Sequence, residues 1–175
     1  MYTKLIPITL LVLTLPGAHY SFAQAQFEVP ENFELKTQDD TAKYETAIIG
    51  AAKWLEETDL NKERDKRQQV ISFVLRWLEA SPSVNLELTD PIAKLYEKND
   101  LLLGVFLASY ARNAVENKST RSKFSPTKAA VTSMISVYKK GVAIAKSRQM
   151  ENVVKLAGEN KLDEFITQVL GVEKD

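Results

Sequence analysis

Four polar side chains follow an apolar segment closely, and their types suit a ligand pocket. The apolar run LLLGVFLA (residues 101–108) leads into Tyr110, Arg112, Asn113 and Glu116. These residues offer an aromatic ring, hydrogen-bond donors and acceptors within two helical turns, as small-molecule sites often do. The alternative is structural: Arg112 pairs with Glu116 one turn later, while Tyr110 and Asn113 satisfy nearby backbone groups. The sequence therefore offers a candidate pocket with a non-functional alternative.

Charge is balanced over the whole chain but uneven along it. Residues 26–60 hold nine acidic groups against three lysines, whereas residues 117–150 hold eight bases and no acid. A basic surface of this kind attracts an anionic partner by raising its local concentration. The alternative, which we favour from the sequence, is that the acidic segment folds over the bases and neutralises them. The candidate basic surface comprises Arg121, Lys123, Lys128, Lys139 and Lys140.

Several classes of chemistry are excluded by missing residue types. The chain has no cysteine, and its one histidine, His19, lies in an N-terminal segment that we expect to be removed. Ser-His-Asp and Cys-His nucleophiles, and zinc or haem sites built from imidazole or thiolate, are therefore excluded from the remaining chain. Adjacent acidic residues such as Glu56-Glu57 have the side-chain type that a two-carboxylate hydrolase requires. Neighbours on a helix point about 100° apart, so we interpret these pairs as surface charge and expect no catalytic residue, metal or cofactor.

The first 25 residues have the layout of a secretory signal peptide. Lys4 provides a positive start, residues 5–15 are almost wholly apolar, and small residues follow at Ala23 and Ala25. We expect cleavage after Ala25, or after Ala23, and a periplasmic or secreted product. A retained anchor or a buried apolar helix is the alternative, and the prolines within the segment weigh against it.

Helical periodicity dominates the rest of the chain. Residues 26–36 contain Pro30 and alternate apolar with acidic positions, which predicts an extended N-terminal arm. Residues 37–175 predict a single all-α domain, a compact bundle of about six or seven helices. Predicted helices cover 37–58, 61–79 and 90–98, then 101–116, a long helix from Ser125-Pro126 with buried positions as far as Val142 and Ala145, and two C-terminal helices separated at 158–160.

The helix near residues 101–116 is predicted to be the centre of the bundle. Every face of its first half is apolar, as in a helix enclosed by others, so we expect Leu103, Phe106 and Leu107 to be buried.

Residues 84–88 alternate like a strand, but a lone strand forms no sheet, and we interpret them as a linker.

A family resemblance accompanies these patterns. It is carried by Val29-Pro30-Glu31-Asn32, Tyr44-Glu45, Lys53-Trp54-Leu55 and the segment Trp77-Leu78 with Ser81-Pro82-Ser83-Val84. Together these segments resemble uncharacterised small exported all-helical proteins of Bacteroidetes-type bacteria. The resemblance implies a periplasmic or secreted location, and it carries over no activity and no site residues.

The sequence thus favours an exported, non-catalytic binding protein whose partner is an envelope protein or an anionic surface. A small-molecule carrier with its pocket at the polar end of the central helix is the alternative, followed by a carboxylate-dependent envelope hydrolase. Nucleic acid is not an expected partner, because export separates the protein from it. In addition, no aromatic residues interleave the lysines and arginines, as a platform for single-stranded nucleic acid requires. We expect no membrane span downstream of the signal peptide.

Overall fold

A computed structural model of the protein describes residues 26–82, 84–118 and 122–174. Within these ranges the regular elements are all helices, which confirms the predicted all-α fold. The predicted signal peptide and its cleavage sites lie outside the described residues. None of the described helices is both long enough and apolar enough to cross a membrane. The helices are α1 (Gln38–Lys43), α2 (Glu45–Glu57), α3 (Arg64–Ala80), α4 (Asp90–Tyr96), α5 (Leu101–Glu116), α6 (Phe124–Lys140), α7 (Arg148–Gly158) and α8 (Leu162–Gln168).

The first helix begins one residue after the predicted start, with Thr37 as its N-cap. The Thr37 hydroxyl accepts a hydrogen bond from the Asp40 amide at 3.2 Å, and the Asp40 carboxylate accepts one from the Thr37 amide at 3.0 Å. This reciprocal capping box satisfies amides that a helix start leaves unpaired. The single helix expected over 37–58 divides at Tyr44, whose ring packs edge-on against Phe33 and Phe73.

The central helix α5 has the bounds that its composition predicts. On one side Val105, Phe106 and Tyr110 join a cluster with α4, α6, α7 and α8. On the other side Leu107 and Ala108 join a second cluster with α2 and α3. Phe106 and Leu107 are buried as expected, whereas Leu103 is only partly buried at the edge of the second cluster.

A glycine allows α3 to approach α5 closely. A Cβ atom built on Gly104 would lie 2.4 Å from Cδ1 and 2.5 Å from Cγ1 of Ile71. Carbon atoms in contact normally sit about 3.5 to 4 Å apart, so no side chain fits there unless Ile71 moves.

The N-terminal arm lies on α2 and α3. Residues 26–36 form no helix, and the Phe33 ring meets the Phe73 ring edge-on at 4.9 Å between centroids. Phe27 is also buried, against Phe73 and Gly50. The arm therefore covers α2 and α3 rather than α6.

A buried arginine binds backbone carbonyl groups at the C-terminal end of α2. Arg67 is 1% exposed, and its Nη2 donates to the backbone oxygens of Thr58 and Asp59, both at 2.9 Å. Its guanidinium also lies 5.4 Å from the ring centre of Trp54. A cation at this position satisfies carbonyls that the helix end leaves free and matches the negative end of the helix dipole.

The end of α6 differs from the prediction. The helix stops at Lys140, because Gly141 adopts a left-handed conformation with φ of 70° and caps it. Val142 and Ala145, expected to be buried on this helix, are exposed in the connection to α7. The prediction of burial for these two residues was wrong, and the residues instead belong to an exposed loop.

Candidate functional site

Three of the four candidate pocket residues take separate partners, and the fourth, Glu116, is exposed. Arg112 binds Glu56 of α2 through two hydrogen bonds of 2.7 and 2.8 Å, and not Glu116, which is exposed. The Asn113 side-chain oxygen accepts from the Ser125 hydroxyl at 3.1 Å. Tyr110 points elsewhere and donates to the Asn85 carbonyl at 2.9 Å. The four side chains therefore do not line one common pocket.

Arg112 belongs to a polar cluster that ties three helices together. Glu56 accepts the Ser133 hydroxyl at 2.6 Å, and the Ser133 and Ser109 hydroxyls lie 2.8 Å apart. The cluster thus links α2, α5 and α6 below the surface. Both oxygens of Glu56 accept hydrogen bonds, so the cluster has a structural role and holds the three helices together. The sequence placed Glu56 in a surface acidic pair and missed this role.

Tyr110 lines a cleft of about 380 Å³ between the linker, the start of α6 and the C-terminal segment. Lys123 borders the same cleft and lies 3.5 Å from Glu87, which borders it too. Burial raises the pKa of Tyr110 to about 12, so the phenol stays protonated at neutral pH. Two residues from different candidate sets, Tyr110 and Lys123, thus meet at one concave site.

The predicted basic residues divide into paired and unpaired groups. Lys128 pairs with Asp163 at 2.6 Å, and hydrogen bonds from Lys128 and Lys174 lower the pKa of Asp163. Lys140 donates to the backbone oxygens of Glu56 and Glu57 at 2.5 and 3.2 Å. Lys139 is exposed, with no ion pair or hydrogen-bond partner for its side chain among the described residues. Arg121 lies outside the described residues.

The sequence favoured an arrangement in which the acidic segment 26–60 covers the basic segment 117–150, and the structure shows this for only some of the bases. From the acidic segment, Glu45 pairs with Lys118 at 2.5 Å, and the end of α2 receives Lys140. Other bases find acids of the linker and α8, at Glu87 and Asp163. Neutralisation is therefore spread over several elements and leaves part of the basic segment uncovered.

The uncovered bases concentrate around the connection between α6 and α7. We call residues 139–148 the basic loop; they comprise the last two residues of α6, the connection itself and the first residue of α7. It carries Lys139, Lys140, Lys146 and Arg148, and all four are exposed. Lys146 and Arg148, like Lys139, have no side-chain partner among the described residues. Lys146 and Arg148 also belong to the acid-free segment, but they were not in the predicted set.

Buried polar contacts fix the ends of the basic loop. The Tyr138 hydroxyl accepts from the Ser147 amide at 3.1 Å and donates to Glu151 at 2.8 Å. Desolvation raises the pKa of Tyr138 and the Glu151 hydrogen bond adds to the rise, so the phenol remains a donor. Asn99, which is 7% exposed, binds both backbone atoms of Ala145. The loop is therefore held in one conformation while its bases face solvent.

Sequence reasoning missed these anchors. Asn99 lies between the predicted helices 90–98 and 101–116, and Tyr138 lies within the predicted long helix from Ser125-Pro126, so neither was assigned a contact with the loop. Ser147 carried the one local signal, since its hydroxyl precedes α7 and accepts from the Met150 amide at 3.4 Å as an N-cap.

In the described part of the chain, no group of three or more His, Cys, Asp or Glu side chains is placed to hold a metal ion. Comparison of the sequence and fold with protein-family models, curated proteins and solved structures finds no significant match. The functional assignment therefore depends on the chemistry of the basic loop and of the cleft.

Proposed function

We propose that this chain is an exported, non-catalytic binding protein that attaches to an anionic partner through the basic loop. The observation that carries the proposal is the combination of three uncovered bases, Lys139, Lys146 and Arg148, with a backbone held by buried polar contacts. A preorganised loop loses little conformational entropy on binding. Clustered cations also raise the local concentration of an anionic partner.

Export is part of the proposal and is supported by the order of charge, apolar run and small residues in the first 25 positions. Protein recovered from outside the cytoplasm should begin at Gln26 or Gln24 by mass spectrometry. An intact Met1 on that material would contradict export.

The loop is tested by retention on a sulfonate matrix. The wild-type protein should bind at low salt and elute as the Debye length falls from about 10 Å at 0.1 M salt to about 3 Å at 1 M. Lys139→Glu with Lys146→Glu should abolish retention. Lys36→Glu with Lys62→Glu is the matched control, because it changes net charge equally at exposed lysines outside the loop. Coelution of the two double variants would rule out the loop as the binding surface.

A second candidate function is small-molecule binding in the cleft at Tyr110. It is favoured by the volume of about 380 Å³ and by the mixture of apolar walls, at Leu86 and Leu170, with the charged Lys123. Small amphipathic fragments should shift the methyl NMR signals of Leu86 and Leu170. If no fragment in a broad set shifts them, this candidate fails.

A further inference from the structure

We infer that the anionic partner is the surface of a lipid bilayer with anionic headgroups, and that the tip of the basic loop inserts Val142 into it. The inference rests on the proposed function and names the partner of the same surface.

The tip of the basic loop is apolar. Residues 141–145 read GVAIA and lie between Lys139-Lys140 on one side and Lys146 and Arg148 on the other. Val142 is 36% exposed, and Gly141, Ala143 and Ala145 are exposed as well. An apolar tip between two sets of bases is complementary to a bilayer interface, where acyl chains lie beneath anionic headgroups.

The backbone of the tip has two residues in the left-handed region. Gly141 and Ala143 both have positive φ, at 70° and 55°, and the loop closes where the Tyr138 hydroxyl meets the Ser147 amide. Left-handed conformations are unfavourable for alanine and persist where the surrounding structure imposes them. The anchors at Asn99 and Tyr138 provide that constraint.

The side chains of the tip suit lipid better than a protein partner. Protein interfaces concentrate their affinity in aromatic and arginine anchors at a buried centre. The tip instead offers small aliphatic groups and no aromatic residue, with lysines and Arg148 beside it. Lysine stems can lie along acyl chains while their ammonium groups reach the headgroups.

The size of the effect follows from the number of uncovered bases. Each base near an anionic membrane strengthens partitioning by about fivefold. Lys139, Lys146 and Arg148 together therefore predict partitioning about a hundredfold stronger to vesicles that contain an anionic lipid than to neutral ones.

The experiment places a fluorescent reporter at the tip of the exported protein. Val142→Trp should show a blue-shifted emission with vesicles of phosphatidylcholine and phosphatidylglycerol, and no shift with phosphatidylcholine alone. The native Trp54 and Trp77 are buried, so the new residue dominates any change. Val169→Trp is the matched control, because Val169 is 52% exposed outside the loop, and its emission should not change.

Two further measurements separate this inference from the proposed function. Cosedimentation of the unaltered exported protein with the anionic vesicles should be lost in Lys139→Glu with Lys146→Glu. Retention on the sulfonate matrix without vesicle binding, or vesicle binding without a blue shift at position 142, would overturn insertion and leave the proposed function standing. Loss of both matrix and vesicle binding in the wild type would overturn both.

Discussion

The side chain of Asn99 holds both backbone atoms of Ala145. Its Nδ2 donates to the Ala145 oxygen at 2.9 Å, and its Oδ1 accepts from the Ala145 amide at 2.7 Å. An amide side chain between α4 and α5 thereby completes the hydrogen bonding of the basic loop, 46 residues further along the chain.

Replacing this amide should loosen the loop. Asn99→Ala leaves the Ala145 backbone without its partners, at a cost of about 1 to 3 kcal/mol of unfolding free energy. Hydrogen exchange should accelerate at residues 144–147, and binding to the sulfonate matrix should weaken because a mobile loop must be ordered on binding. Asn152→Ala, at an exposed position of α7, is the control. Unchanged exchange at 144–147 would show that Asn99 does not fix the loop.

Substitutions at two adjacent lysines, Lys139 and Lys140, should affect folding stability and matrix binding differently. Lys140 caps carbonyls at the end of α2, so Lys140→Glu sets a carboxylate against the negative end of that helix and should cost about 1 kcal/mol. Lys139 has no side-chain partner but lies in the last turn of α6, so Lys139→Glu should lose only a helix-dipole interaction, cost less than Lys140→Glu and still weaken matrix binding. Urea denaturation and salt elution measure both effects. Equal destabilisation by the two changes would contradict this division of roles.

The close approach of α3 and α5 predicts a coupled pair of core residues. Gly104→Ala should destabilise the protein by about 1 kcal/mol net, because displacing the end of the Ile71 side chain costs about 1 to 3 kcal/mol and alanine recovers about 1 kcal/mol of helix propensity over glycine. The same change in an Ile71→Ala background should cost much less, and a double-mutant cycle from urea denaturation measures the coupling. Gly158→Ala, where the added Cβ meets no atom within 4 Å, should be nearly neutral. Additive effects of Gly104→Ala and Ile71→Ala would place the helix contact elsewhere.

Burial of Tyr110 predicts a loss of stability in alkali. The folded pKa of about 12 exceeds the usual value of 10.0, so the stabilisation is complete below pH 10 and is lost as pH rises from 10 through 12. The difference corresponds to about 2 to 3 kcal/mol. Tyr110→Phe removes the titrating group, and its urea midpoint should fall less than that of the wild type over this range. Parallel curves for the two proteins would contradict the burial of the phenol.

Local sequence rules predicted the parts of the fold that depend on neighbours in the chain. Thr37 and Asp40 cap the helix predicted to start at residue 37, because both partners lie within one turn. The apolar faces of residues 101–108 placed α5 at the centre. The extension of α6 to Ala145 failed because apolar spacing continued beyond Gly141, where the backbone turns into the left-handed region.

The contacts of the candidate site join residues that lie far apart in the sequence, so local patterns predicted them less well than they predicted the helices. Arg112 has an acid four residues on, at Glu116, yet it binds Glu56 from a different helix. The sequence identified the acid-free segment and Lys139, but it did not identify Asn99 or Tyr138 as anchors. Their partners are set by packing of α4 to α7, which no local pattern encodes. The resemblance to exported helical proteins stays a prediction.

The location of anion binding tests the central claim most directly. Titrating an anionic polymer such as polyglutamate into isotope-labelled protein, followed by amide NMR, distinguishes the basic loop from the cleft. The account predicts salt-sensitive shifts concentrated at residues 139–148, with little change at Tyr110 and Leu170, which line the cleft. Shifts centred on the cleft, or no saturable shifts at low salt, would contradict it.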